Sequence, residues 1–124
     1  METVGIGIDI VDVGRVERIL ERRATFAERV FTAEEIEYCR RQASPAESFA
    51  ARWAAREACR KALGGIDGMR WKDVRVERGT SGSPRLVLTG SALRRANECG
   101  VSDVLVSLAH ERRTAVAFCV AVSR

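Results

Sequence analysis

Three short segments of this 124-residue chain carry side chains able to do chemistry. The first is Gly5-Ile6-Gly7-Ile8-Asp9. Alternation puts Val4, Ile6, Ile8 and Ile10 on one face of a strand and Gly5, Gly7, Asp9 and Val11 on the other. Two glycines strip their face of side chains, so another backbone or a ligand can come close. A carboxylate beside bare backbone suits a hard cation such as magnesium, which takes oxygen ligands and shares them with substrate phosphates. The alternative is that the glycines serve close packing and Asp9 is solvated at a strand edge. The segment is not a dinucleotide fingerprint, because position 10 is Ile10 where the third glycine pattern fails.

The second segment is Arg52-Trp53-Ala54-Ala55-Arg56-Glu57-Ala58-Cys59-Arg60-Lys61. On a helix, Trp53, Glu57 and Lys61 recur every four residues and line one stripe, with Arg52, Arg56 and Arg60 on the adjoining one. One reading is a carboxylate for a metal, with cations beside it for phosphates and small alanines leaving room for a bulky anion. The other is a surface ion pair between Glu57 and Lys61, worth at most ~0.5 kcal/mol. The third segment is Ser107-Leu108-Ala109-His110, which ends on the only histidine. Geometry rather than sequence decides whether such a histidine belongs to a catalytic set.

Regular elements must hold these segments. The alternating run from Val4 to Val13 predicts a strand, and helical spacing follows from Arg15 to Arg23. Thr32-Ala-Glu-Glu35 reads as a capping box opening a second helix. Ser44-Pro45 breaks the chain, and a long helix over Ala46–Leu63 stops at Gly64-Gly65. Asp73–Arg78 and Arg85–Thr89 predict a hairpin joined through residues 79–84. A helix over Ser91–Cys99 and a second hairpin, Val104–His110 with Ala115–Val122, complete the order β-α-α-α-β-β-α-β-β. This is an α+β fold: an antiparallel sheet with a long central helix, in one domain over residues 1–124. The last strand is apolar at nearly every position, which predicts burial of both its faces.

Composition narrows the function classes. Lys and Arg total 21 against 17 Asp and Glu, a net charge of +4 that leans toward anionic partners without marking a nucleic-acid binder. No apolar run is long enough to span a bilayer. The start, Met-Glu-Thr-Val-Gly, lacks the basic and apolar regions of a signal peptide, so the expected address is cytoplasmic. Cys39, Cys59, Cys99 and Cys119 are scattered, which predicts reduced, half-buried thiols rather than a disulfide framework or a zinc site.

Read together, residues 5–16, Phe-Thr-Ala-Glu-Glu at 31–35, residues 51–64 and Val-Ser-Leu-Ala-His at 106–110 resemble the holo-acyl-carrier-protein synthases. These are the short bacterial 4′-phosphopantetheinyl transferases, and the resemblance runs in order over nearly the whole chain. It implies transfer of the phosphopantetheine arm of coenzyme A to a serine of an acyl carrier protein, releasing adenosine 3′,5′-bisphosphate. It also implies a magnesium requirement and a homotrimer with active sites at subunit boundaries. By position, Asp9 and Glu57 match the magnesium ligands and Lys61 a lysine near the reacting phosphate. Arg52 and His110 match positions lining the coenzyme A site, and Arg15 matches a basic position facing the acidic carrier protein. Two positions depart from the family pattern. Arg56 stands where a lysine is usual, and Ala109 stands where a hydroxyl residue is usual. The competing readings are a non-catalytic module of the same fold that binds coenzyme A or a carrier protein, and a nucleic-acid binder using Arg52, Arg56, Arg60 and Lys61. The combination of Asp9, Glu57 and Lys61 favours the enzyme.

Overall fold

Period-two alternation builds the first strand, β1 (Glu2–Asp12), in a computed structural model that describes residues 1–65, 67–79 and 81–124. The Asp12 carboxylate then accepts from Arg15 N at 2.8 Å and caps α1 (Val13–Arg22). A five-residue helix, α2 (Phe26–Val30), follows; at barely more than one turn it has no periodicity for a sequence reading to detect. The capping box forms as expected at the head of α3 (Ala33–Arg40). Thr32 N donates to Glu35 Oε1 at 3.0 Å, and Glu35 N donates to Thr32 Oγ1 at 3.3 Å.

Pro45 occupies the first turn of α4 (Pro45–Ala62), where its missing N–H costs nothing. A 3-10 turn (Trp71–Asp73) leads into β2 (Val74–Arg78), which pairs antiparallel with β3 (Pro84–Leu88). Within the predicted connection 79–84, Thr80 lies outside the described residues. Asp73 Oδ2 accepts from both Ser91 N at 2.8 Å and Ser91 Oγ at 2.6 Å, tying the 3-10 turn to the start of α5 (Gly90–Glu98). The chain closes with β4 (Asp103–His110) and β5 (Thr114–Ser123). The predicted order thus holds, with α2 and the 3-10 turn added, and boundaries fall within two residues of those expected.

β1, β5 and β4 form one antiparallel sheet in that order, with β5 in the middle. β2 and β3 form a separate two-stranded sheet. Helix α4 runs through the centre: it packs on β1, β5 and β4 on one side and on α3 and β2 on the other. Its many alanines let all these elements approach, and Ala50, Ala54, Ala55 and Ala58 have no exposure at all.

The sheet has one buried face and one open face. On β5, Ala115, Ala117, Cys119 and Ala121 are buried against the helix. Val116 and Val120 are only half-buried and Phe118 is exposed. So within one chain one face of β5 is covered, and the other is buried only at Val122. On β1, Ile6, Ile8 and Ile10 are each more than half exposed. Three thiols are fully buried rather than half-buried. Burial pushes Cys39 up to about 11 and Cys59 up to about 12, so both are unreactive.

Candidate functional site

The glycine face of β1 meets α4 backbone to backbone. A Cβ on Gly5 would lie 2.1 Å from the Ala62 carbonyl oxygen, and one on Gly7 would lie 2.0 Å from that of Ala58. No side chain fits there, so the close-packing role of the glycines is real. It is also what makes the site. The tight approach carries Asp9, two residues beyond Gly7, to the stripe of α4 that bears Glu57 and Lys61.

Lys61 Nζ donates to Asp9 Oδ1 at 3.2 Å and to the Ile8 carbonyl at 2.9 Å. Among the described residues its ion pair is with Asp9, not with Glu57 as the helical spacing suggested. Burial, and then the negative charge of Asp9, push the Glu57 carboxyl above its ordinary value against the pull of Arg60 and Lys61. Two carboxylates that repel one another beside an ammonium are a cation-seeking arrangement. They form a pair only; no cluster of three or more His, Cys, Asp or Glu side chains occurs among the described residues. A pair fits magnesium, which commonly takes one or two protein carboxylates and completes its shell with water and substrate phosphate.

The arginine stripe divides differently from its helical spacing. Arg56 is fully buried and turns away from Asp9. Its Nη1 donates to Glu35 Oε2 at 3.0 Å, its Nη2 donates to Glu35 Oε1, and its Nε donates to the Trp71 carbonyl at 3.0 Å. Glu35 Oε2 also accepts from Val76 N at 3.0 Å. Burial alone would raise the Glu35 carboxyl. The Arg56 hydrogen bonds and charge, with the Thr32 and Val76 N–H groups, outweigh it and hold the carboxyl below its ordinary value. One residue thus caps α3 and clamps α4 to β2. Arg56 is a structural tie, not a cation for a phosphate. With Arg52 and Arg56 both in the interior, the four basic groups needed for a nucleic-acid surface are not on one surface.

Arg52 is the opposite case. It is 3% exposed, yet its Nε has no hydrogen-bond partner and its guanidinium stacks on the Tyr38 ring at 4.4 Å. It lines a cavity of about 560 Å³ whose rim includes Arg75 and Arg78. Among the described residues the Nε of this buried guanidinium is left without a partner, which is costly unless an anion completes the group. His110, at the end of β4, bonds through Nδ1 to Glu47 Oε1 at 3.0 Å. Within one chain, then, Asp9, Glu57 and Lys61 converge, whereas Arg52 faces the α3–β2 cavity and His110 faces the start of α4. Ala109 is exposed beside it.

A second cavity, of about 630 Å³, went unseen in the sequence. Phe26, Trp53 and Trp71 line it, with Arg23, Arg29 and Arg70 around them. The Trp53 and Trp71 rings are 4.8 Å apart and those of Phe26 and Trp53 5.8 Å. Trp53 therefore belongs to an aromatic floor next to the basic helix α1, while its stripe-mates Glu57 and Lys61 point to Asp9. The only sequence signal for this cavity was the clustering of most aromatics between positions 26 and 71.

Residues 5–119 match the 4′-phosphopantetheinyl transferase superfamily. This chain belongs to that superfamily. Within the superfamily, it is 46% identical over 121 residues to a holo-acyl-carrier-protein synthase of Desulforudis audaxviator, covering 96% of this chain and 92% of that protein. It is 43% identical over 105 residues to one of Moorella thermoacetica, covering 84% and 82%. The holo-acyl-carrier-protein synthase of Neisseria meningitidis shares the transferase fold with a TM-score of 0.86 and 34% identity, over 98% of this chain and all of that one. The synthase of Helicobacter pylori, solved in complex with coenzyme A, superposes with a TM-score of 0.82 and 28% identity, over 94% and 99% of the two chains.

Proposed function

We propose that this chain transfers the 4′-phosphopantetheine arm of coenzyme A to a serine of apo acyl carrier protein, releasing adenosine 3′,5′-bisphosphate. The carrying observation is the convergence of Asp9, Glu57 and Lys61 at the β1–α4 contact, in a chain whose relatives are holo-acyl-carrier-protein synthases. The serine oxygen bonds to phosphorus and its proton passes to solvent as the bond to the departing bisphosphate breaks. Asp9 and Glu57 would hold magnesium, which supplies positive charge to the phosphates when bound. Lys61, half exposed at the mouth of the carboxylate pair, is placed to meet the negative charge that grows on the leaving group. Arg52 would receive a phosphate of coenzyme A, which supplies the counter-charge its buried guanidinium lacks, and His110 would contribute a second contact.

Arg52 lines the α3–β2 cavity and His110 bonds to Glu47 in the first turn of α4, whereas Lys61 meets Asp9 at the other end of that helix; a site using all of them would draw on neighbouring copies. The open apolar face of the sheet offers the surface for them, and a homotrimer with shared sites joins the two facts. The acidic carrier protein would approach the exposed arginines of α1, Arg15, Arg18, Arg22 and Arg23, with the aromatic cavity beside them. Among the described residues no helix is long and apolar enough to cross a membrane, and buried free thiols fit a cytoplasmic address. Incubation with coenzyme A, magnesium and an apo carrier protein, followed by mass spectrometry, tests the reading. Addition of the phosphopantetheine mass to the carrier is expected. Binding of coenzyme A without that addition would leave only the non-catalytic module.

A further inference from the structure

His110 is the chain's only histidine. Its side chain is 39% exposed, while that of its partner Glu47 is 17% exposed. The partners lie 63 positions apart, so the contact exists only because the end of β4 meets the first turn of α4. The hydrogen bond from His110, then one with Ser44, hold the Glu47 carboxyl below its ordinary value, and Arg112 adds positive charge nearby. An ionised carboxylate has no proton to give, so His110 Nδ1 donates and Glu47 Oε1 accepts. Which imidazole nitrogen carries the proton is set by the bond its ring partner makes. Here that bond places the proton on Nδ1 and leaves Nε2 as the uncommitted corner of a partly exposed ring.

We propose that Glu47 is a positioning residue: it holds the His110 ring with Nδ1 donating and turns Nε2 outward to meet a phosphate group of coenzyme A. The proposal rests on the reading of His110 as part of the coenzyme A site. When a phosphate arrives, the ring takes a proton from solvent at Nε2 and lies between two anions, each accepting one N–H. Without Glu47 the ring rotates freely, the proton moves to Nε2 in the neutral form, and the imidazolium loses its counter-charge on the inner side. Ala109 puts more weight on this device, since the neighbouring position offers no hydroxyl.

A single histidine makes the test direct, because nitrogen-15 NMR of the ligand-free protein sees one imidazole. The neutral wild-type ring is expected to carry its proton on Nδ1. Glu47→Gln keeps an acceptor oxygen and retains that tautomer; Glu47→Ala moves the proton to Nε2. In transfer assays Glu47→Ala raises KM for coenzyme A by about tenfold, the scale of one charge-assisted hydrogen bond, and leaves KM for carrier protein unchanged. In the His110→Ala background Glu47→Ala adds no further loss. An unaltered tautomer in Glu47→Ala, an equal rise in both KM values, or additive losses in the double variant would each overturn the proposal. An unchanged KM for coenzyme A in His110→Ala would instead overturn the placement of His110 in that site, while the tautomer still reports on the Glu47 contact.

Discussion

Gly7 lies against the carbonyl of Ala58 so closely that a Cβ would stand 2.0 Å from its oxygen. The same contact that packs β1 on α4 also delivers Asp9 to Lys61, 52 positions further along the chain. Gly7→Ala is therefore expected to destabilise the fold by about 1–3 kcal/mol through overpacking and to lower kcat as Asp9 moves off α4. Thermal unfolding measured with transfer kinetics checks both effects. Wild-type stability and turnover would show that the backbone contact does not set the site.

Asp9→Ala and Glu57→Ala are each expected to abolish transfer and leave the circular dichroism spectrum unchanged. Near-normal turnover of either variant at limiting magnesium would break the shared-ligand reading. Asp9→Asn also removes one of the two causes that raise the Glu57 carboxyl, so its titration midpoint should move down toward 4.5. Carboxyl NMR titration without metal reads that shift.

Acid should loosen the clamp between Glu35 and Arg56. The Glu35 carboxyl is lowered from 4.5 in the folded chain, so its contribution is complete above that value. It is lost as pH falls from 4.5 toward the lower native midpoint, where the buried arginine is left without its counter-charge. Glu35→Gln should cost about 3–5 kcal/mol, because it strands that charge. The variant should also lose the part of the acid dependence that Glu35 supplies, and denaturant unfolding across this pH range measures both.

Charge on α1 should act on one substrate only. Arg15→Glu is expected to raise KM for carrier protein and spare that for coenzyme A. Stopped-flow association of the wild type should slow as salt rises. A salt-independent association rate, or equal effects on both substrates, would place the carrier protein elsewhere.

The bare isoleucine face of β1 predicts a trimer at micromolar concentration. Sedimentation equilibrium should return three times the chain mass, and Ile8→Glu should shift it toward monomer and cut activity together. A wild-type monomer that still transfers the arm would refute both the trimer and the shared site.

Interactions spanning up to four residues were legible in the sequence itself. The Thr32–Glu35 box, Pro45 at the start of the long helix and the alternation of β1 are set by local backbone sterics and capping, and they appear as read. The segments that carry Asp9, Glu57, Lys61 and His110 also placed the chain in its family. Which atoms those residues meet was decided by packing alone. Helical spacing offered Glu57 to Lys61, yet the glycine contact brings Asp9 nearer. It set Arg56 beside Arg52 as a cation for phosphate, yet Glu35, 21 positions away, draws Arg56 into the interior, and Arg52 Nε is left without a partner among the described residues. The sequence already set the glycines on one face of β1, bare enough for another backbone; that the backbone is α4, through the carbonyls of Ala58 and Ala62, was decided by packing, because only on that face can they reach the strand.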